Sequence, residues 1–115
     1  EVATLRQQVA AVTEPVIVLG DFNMSDQSRA YLALTTSLQD SFREAGIGMG
    51  RTFPNNLRLG RVRIPGPLVR IDYVFHSPHL RATSATVNCI DGQSDHCALV
   101  VVLSVITEQQ ESVRE

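Results

Sequence analysis

Hydrophobic residues recur along the first part of the chain at helical spacing and then in a short continuous run. Residues 2–12 carry apolar side chains every three or four positions, which predicts an amphipathic helix. Residues 16–19 (Val-Ile-Val-Leu) form an unbroken apolar run, typical of a strand that is covered on both faces. Ser25 or Asp26 then offers an N-cap for a second helix that reaches about residue 37.

The rest of the chain is richer in strand-like patterns. Its predicted elements are a short helix or turn over residues 38–45 closed by Gly46, a long loop over residues 46–68, strands over residues 69–76 and 82–90, a turn at residues 91–92, a central strand buried on both faces over residues 96–106, and a polar tail over residues 107–115. This order predicts one α/β domain of the α+β type over residues 1–115, with a flexible tail at residues 107–115.

Composition narrows the classes of function. Hydrophobic residues make up 43% and aromatic residues 5%, so we expect a core built mostly of Val, Leu, Ile and Ala. The net charge of −2 and the lack of lysine argue against a nucleic-acid binder. Cys89 and Cys97 lie in apolar runs and are expected to be buried free thiols, although they could pair if their strands were neighbours.

All the basic residues other than histidine are arginines, and several fall in one window. They are Arg51, Arg58, Arg61, Arg63 and Arg70. A guanidinium group binds phosphate through two parallel hydrogen bonds, so Arg51 and Arg70 are candidate substrate-binding residues. The alternative is a solvated, arginine-rich loop.

Polar clusters lie at strand ends, where side chains from separate strands can meet. Asp21 and Asn23 are two residues apart, so in an extended segment they would face the same side. The alternative is a turn, in which Asp and Asn bond their own backbone. Asp72 lies in an apolar strand and needs a hydrogen-bond partner, either a histidine or Arg70.

Asp95 and His96 form the last cluster, at the entrance of the last strand. Neighbours in a strand point to opposite faces, so one residue could serve a metal ion and the other a substrate. The alternative is a capping aspartate beside a partly buried, satisfied histidine. His76 and His79 flank a Ser-Pro loop and are expected at the surface.

Three motifs occur together and in a fixed order. They are Gly-Asp-Phe-Asn (residues 20–23), Arg-Ile-Asp-Tyr-Val-Phe (residues 70–75) and Ser-Asp-His (residues 94–96). Over residues 13–104 the chain thereby resembles the deoxyribonuclease-I-like endonuclease/exonuclease/phosphatase superfamily. The resemblance implies a hydrolase that cleaves a phosphodiester or phosphomonoester with an activated water and Mg²⁺ or Mn²⁺.

The resemblance also implies roles for individual residues. Asp21 matches the aspartate that activates or orients the nucleophilic water, and Asn23 matches the positioning asparagine. Asp72 matches the carboxylate that orients the catalytic histidine, and Asp95 matches a carboxylate near the metal. His96 matches the histidine that contacts the scissile phosphate, and the identity of the base stays open. Asp21, Asn23 and Asp95 would be this chain's metal ligands.

Members of the superfamily are much longer than this chain, and their first half supplies the principal glutamate ligand of the metal. The chain is therefore expected to be the C-terminal half of a four-layer α/β/β/α sandwich, one mostly antiparallel sheet flanked by helices, with little activity alone. Expected partners are a phosphoester substrate (nucleic acid, phospholipid or small phosphate ester), the missing N-terminal half, and a second copy docked on the exposed sheet face.

Two further segments bear on the subfamily. Residues 38–42 and 52–54 resemble a bacterial branch of often membrane-linked, phosphatase-like members, which would place the parent protein at a membrane or outside the cytoplasm. The alternative function is a non-catalytic scaffold or binding module that retains the fold. The hydrolase requires Asp21, Asn23, Asp72 and His96 to meet in one cleft, whereas the scaffold lets them scatter.

Overall fold

The computed structural model describes residues 2–90 and 94–106, so the turn predicted at residues 91–92 and the tail predicted at residues 107–115 lie outside the described residues. The elements in chain order are α1 (Val2–Ala10), β1 (Ile17–Asp21), α2 (Arg29–Leu34), β2 (Gln39–Asp40), α3 (Ser41–Ala45), β3 (Arg58–Leu59), β4 (Val62–Arg63), β5 (Asp72–His76), β6 (Leu80–Asn88) and β7 (Ala98–Val105). This order confirms the α/β class.

The strands form three antiparallel sheets rather than one. A three-stranded sheet has the order β1-β5-β2, while β6 pairs with β7. The small hairpin of β3 and β4 interrupts the long loop predicted over residues 46–68. Helix α3 contacts both β5 and β6 and so connects the two larger sheets. Antiparallel sheets tolerate one face that is not covered by other elements, and β1 and β7 both have apolar side chains on such a face.

The main cluster of buried apolar side chains lies where the helices cover the three-stranded sheet, and aromatic rings are prominent in it. Its buried members are Tyr31, Leu34, Leu38, Tyr73 and Phe75. Phe22 contacts Tyr73 and Phe75 edge-on, with ring centroids 6.2 and 5.5 Å away. Across the described residues, Leu, Ile and Ala outnumber the aromatic side chains among the buried apolar residues, as expected. The few aromatic side chains are concentrated at this sheet, where each buries a large apolar area.

Strands β1 and β7 were expected to be covered on both faces, and that expectation is wrong. Leu19 in β1 is 67% exposed, and Val102 in β7 is 52% exposed. Among the described residues β7 pairs only with β6, which makes it an edge strand and not a central one. The two strands thus present the exposed apolar surface that was expected of a partial fold.

Local polar contacts set the helix ends. Helix α2 begins after Ser28, whose Oγ accepts the Tyr31 N–H at 3.1 Å, so the N-cap predicted at Ser25 or Asp26 is wrong. Helix α3 begins after Asp40, whose Oδ1 accepts the backbone N–H groups of the first turn.

None of the described helices is long and apolar enough to cross a membrane.

His76 is fully buried, so its predicted surface position is wrong. Its Nδ1 lies 2.8 Å from the Ser77 carbonyl oxygen, and its Nε2 lies 2.6 Å from Glu44 Oε1. The same Glu44 oxygen accepts the Ala82 N–H, which ties α3 to β5 and β6. His79 is partly exposed and lies 3.0 Å from the Ser77 hydroxyl.

Cys89 and Cys97 form a disulfide, so the expectation of free thiols is wrong. The antiparallel register of β6 and β7 pairs Asn88 with Ala98. Cys89 directly follows Asn88 and Cys97 directly precedes Ala98, so the two cysteines lie side by side just beyond the paired strand ends. Their Cα atoms lie 4.4 Å apart. The bridge closes the segment that carries His96.

Candidate active site

Two carboxylates face each other at one end of the β1–β5 ladder. The register pairs Ile17 with His76 at one end and Asp21 with Asp72 at the other. Like charges directly opposite each other on antiparallel strands are destabilising. The register therefore creates a site that favours a positively charged partner.

His96 lies between these two carboxylates. Its Nδ1 is 2.7 Å from Asp72 Oδ2, and its Nε2 is 3.6 Å from Asp21 Oδ2. With Nδ1–H donating to Asp72, the Nε2 atom faces Asp21. The hydrogen bond that His96 donates to Asp72 raises the pKa of His96, and the charges of Asp72, Asp21 and Asp95 act in the same direction against a lowering by burial. The partner of Asp72 is thus a histidine and not Arg70.

A turn at residues 20–23 orients the Asp21 carboxylate. Asp21 Oδ1 accepts the Asn23 N–H at 2.8 Å, and Asn23 has a left-handed φ of 50°. The premise of an extended segment is therefore wrong for Asn23, and the turn alternative is present. Because the turn engages one carboxylate oxygen, the other is directed towards His96. The role of the Asn23 side chain stays a prediction.

The long loop after α3 contributes contacts to His96 that sequence reasoning missed. The Phe53 ring lies 4.9 Å from the His96 ring, and the Asn55 N–H donates to the Asp95 carbonyl at 2.7 Å. The His96 N–H donates to Ser94 Oγ at 3.2 Å. The Thr-Phe-Pro motif was the available signal for this loop, but nothing in its spacing pointed to His96.

Arg70 is engaged within the fold by Asp40, and its contact with substrate stays a prediction. Its buried guanidinium donates to Asp40, and its Cζ lies 4.6 Å from the centre of the Tyr73 ring. Burial alone would lower the pKa of Arg70, but the hydrogen bond to Asp40 raises it and the net shift is upward. Arg51 is exposed in the loop, and its contact with substrate stays a prediction.

The cluster can offer ligands to a cation. One ligand atom each from Asp21, Asp72 and His96 lies within 4.8 Å of the others. Carboxylate oxygens suit Mg²⁺ and Mn²⁺, and a cation would relieve the repulsion between the paired carboxylates. The ligand set predicted from sequence was Asp21, Asn23 and Asp95, and of its two carboxylates Asp21 lies in this cluster and Asp95 does not. A cleft of 180 Å³ adjoins the carboxylates, and Leu19, Val74 and Leu99 contribute its apolar walls.

The fold and this cluster together define an antiparallel α/β protein with an acid–histidine site at its strand ends. The chain belongs to the endonuclease/exonuclease/phosphatase family, whose sequence profile matches residues 3–96. This match confirms the resemblance seen in the motifs. The family includes hydrolases that act on phosphoester bonds. Among proteins of curated function, none matches this chain.

Solved structures share the fold. An endonuclease/exonuclease/phosphatase from Bacteroides vulgatus superposes with a TM-score of 0.71 at 24% identity, over 90% of this chain and 42% of that one. A functionally unknown conserved protein from Enterococcus faecalis gives 0.71 at 18% identity with the same coverage. A mannosyl-6-phosphatase from Bacteroides thetaiotaomicron gives 0.59 at 23% identity, over 89% of this chain and 42% of that one. The chain spans less than half the length of these structures.

Proposed function

We propose that this chain supplies the water-activating and phosphate-contacting residues of a metal-dependent phosphoesterase. The observation that carries the proposal is the imidazole of His96, held between Asp72 and Asp21. A scaffold would not need three titratable side chains from separate segments to converge, and the repulsion between the Asp21 and Asp72 carboxylates would count against it. Family membership supports the phosphoester bond as the target.

The contacts of His96 define what it can do. Asp72 accepts the Nδ1–H, so Nε2 is the atom available to a substrate. A protonated Nε2 donates a hydrogen bond to a phosphoryl or leaving oxygen, and a neutral Nε2 accepts a proton from water. Asp21 Oδ2, 3.6 Å away, can accept a hydrogen bond from the same water. Either residue can serve as the base.

Asp21 is the residue of the predicted metal set that lies in the cluster, and Mg²⁺ or Mn²⁺ fits its carboxylate. Such an ion, if bound, would supply charge neutralisation at the phosphoryl oxygens and would make a water molecule easier to deprotonate. We propose that Asn23 and Asp95 are the other metal ligands that this chain contributes. The principal glutamate ligand would come from outside these residues.

The exposed apolar surface of β1 and β7 bears on the partner. We propose that it packs against the remainder of the family fold in a longer protein, or against a second copy of this chain, and that the isolated chain hydrolyses little. Nucleic acids, phospholipids and small phosphate esters are all candidate substrates. The mannosyl-6-phosphatase among the structural neighbours makes a sugar phosphate monoester the first to assay.

The test compares the isolated chain with a longer protein in which it is joined to the remainder of the fold. Both are assayed with Mg²⁺ or Mn²⁺ against a phosphate monoester and a phosphodiester. Replacing His96 by Ala in the longer protein should lower turnover by about 10²–10⁴-fold. His79→Ala is the matched control and should retain full turnover. Undiminished turnover by a folded His96→Ala variant would refute the proposal.

A further inference from the structure

Asn55 makes contacts on both sides of the segment that leads to His96. Its side-chain Nδ2 donates to the Ile90 carbonyl at 3.1 Å and to the Ser94 carbonyl at 3.3 Å. Its backbone N–H donates to the Asp95 carbonyl at 2.7 Å. An asparagine amide has two N–H donors, so this side chain uses both to join the two ends of residues 90–94.

The residues before Asn55 reinforce this connection. The Thr52 carbonyl accepts the Cys97 N–H at 2.7 Å, and the Phe53 ring lies against the His96 ring. The backbone on each side of His96 is thus hydrogen-bonded to residues 52–55. Residues 52–55 therefore hold in place the backbone that carries His96, which is the donor of the hydrogen bond to Asp72.

The same segment is also joined to the residues just before β5, the strand that begins at Asp72. Thr52 N–H donates to the Val69 carbonyl at 2.9 Å, and its hydroxyl accepts the Ile71 N–H at 3.5 Å. Phe53 forms an antiparallel bridge with Val69. Residues 52–55 therefore link the two backbone segments whose side chains must stay within hydrogen-bond distance.

We propose that Asn55 is a positioning residue, which holds the backbone at Ile90, Ser94 and Asp95 so that His96 meets Asp72. This inference rests on the proposed function, since it assigns Asn55 to the same site. Asn55 does not act on substrate directly. Outer-shell partners of this kind typically contribute about 10–100-fold to activity.

The experiment compares Asn55→Asp with Asn56→Asp. The first change replaces the Nδ2 donor by a carboxylate that would repel the two carbonyls. The second makes the same chemical change next door, where Asn56 Oδ1 accepts a bond from Arg63 that an aspartate can also accept. Asn55→Ala, which removes the side-chain bonds without adding charge, serves if Asn55→Asp fails to fold.

The readout is the tautomer of neutral His96, obtained from the ring nitrogen shifts in long-range proton–nitrogen correlation spectra at high pH. Wild type and Asn56→Asp should show the Nδ1–H form that Asp72 imposes. Asn55→Asp and Asn55→Ala should shift towards the Nε2–H form that histidine prefers in water. In the longer protein, Asn55→Asp should lower kcat about 10–100-fold with little change in KM.

The outcomes separate this inference from the proposed function. An Nδ1–H tautomer retained in both Asn55 variants would overturn the positioning role and leave the proposed function standing. A shift of equal size in Asn56→Asp would also overturn it, since the effect would not be specific to Asn55. An Nε2–H tautomer in the wild type would remove the His96–Asp72 contact, and both proposals would fail together.

Discussion

Reduction of the Cys89–Cys97 disulfide should destabilise the protein and loosen the segment that presents His96. The cysteines are eight residues apart in sequence. A bridge of that span lowers the entropy of the unfolded chain and so stabilises the folded state by about 2.5 kcal/mol in the loop-closure description. Whole domains are stable by only about 5–15 kcal/mol, so this loss is a large fraction.

Urea denaturation followed by circular dichroism, with and without reductant, measures this contribution. The double variant Cys89→Ala/Cys97→Ala is the matched control, because its stability should not respond to reductant. Thiol titration verifies that the wild type is oxidised before treatment and fully reduced afterwards. If full reduction changes the free energy of unfolding by less than about 1 kcal/mol, the loop-closure reasoning is wrong. Free thiols in the untreated protein would exclude the disulfide itself.

The remaining predictions concern charge. Asp40→Ala removes the carboxylate that accepts a hydrogen bond from the buried Arg70 guanidinium and leaves Asp26 3.9 Å away, so the free energy of unfolding should fall by about 3–5 kcal/mol in urea denaturation. A loss within experimental error would show that the pair contributes nothing. Because the pKa of His96 is raised, its contribution to stability is full below the unfolded pKa of about 6.5 and is lost as pH rises through the folded pKa. The stability difference between wild type and His96→Gln should therefore shrink from pH 5 to pH 9, and a constant difference would contradict the shift.

The sequence predicted local structure well where the pattern was local. The spacing of apolar residues located α1, and the apolar runs located β1, β5, β6 and β7 to within a few residues. The order of the three motifs identified the family, because each motif is read from adjacent residues. Asp21, Asp72 and His96 are all candidate site residues on the strength of their motifs alone.

Choices of partner were not predictable in the same way. For Asp72 the sequence allowed a histidine or Arg70, and only the fold shows that Arg70 is already bound to Asp40. The sequence likewise left the cysteine pairing open, because it depends on the register of β6 and β7. The same limit applies to the burial of His76, whose partner Glu44 lies in a helix distant in sequence.

The division has a physical reason. The spacing of apolar residues indicates which side of a helix or strand avoids water, and this spacing can be read from residues that are close in sequence. An apolar run cannot report whether both faces are covered, so β7 was predicted as a central strand although it lies at an edge. Hydrogen bonds between distant segments depend on register and packing, which arise only when the whole chain folds. The sequence therefore determined the candidate groups, and the tertiary structure decided that His96 meets both carboxylates.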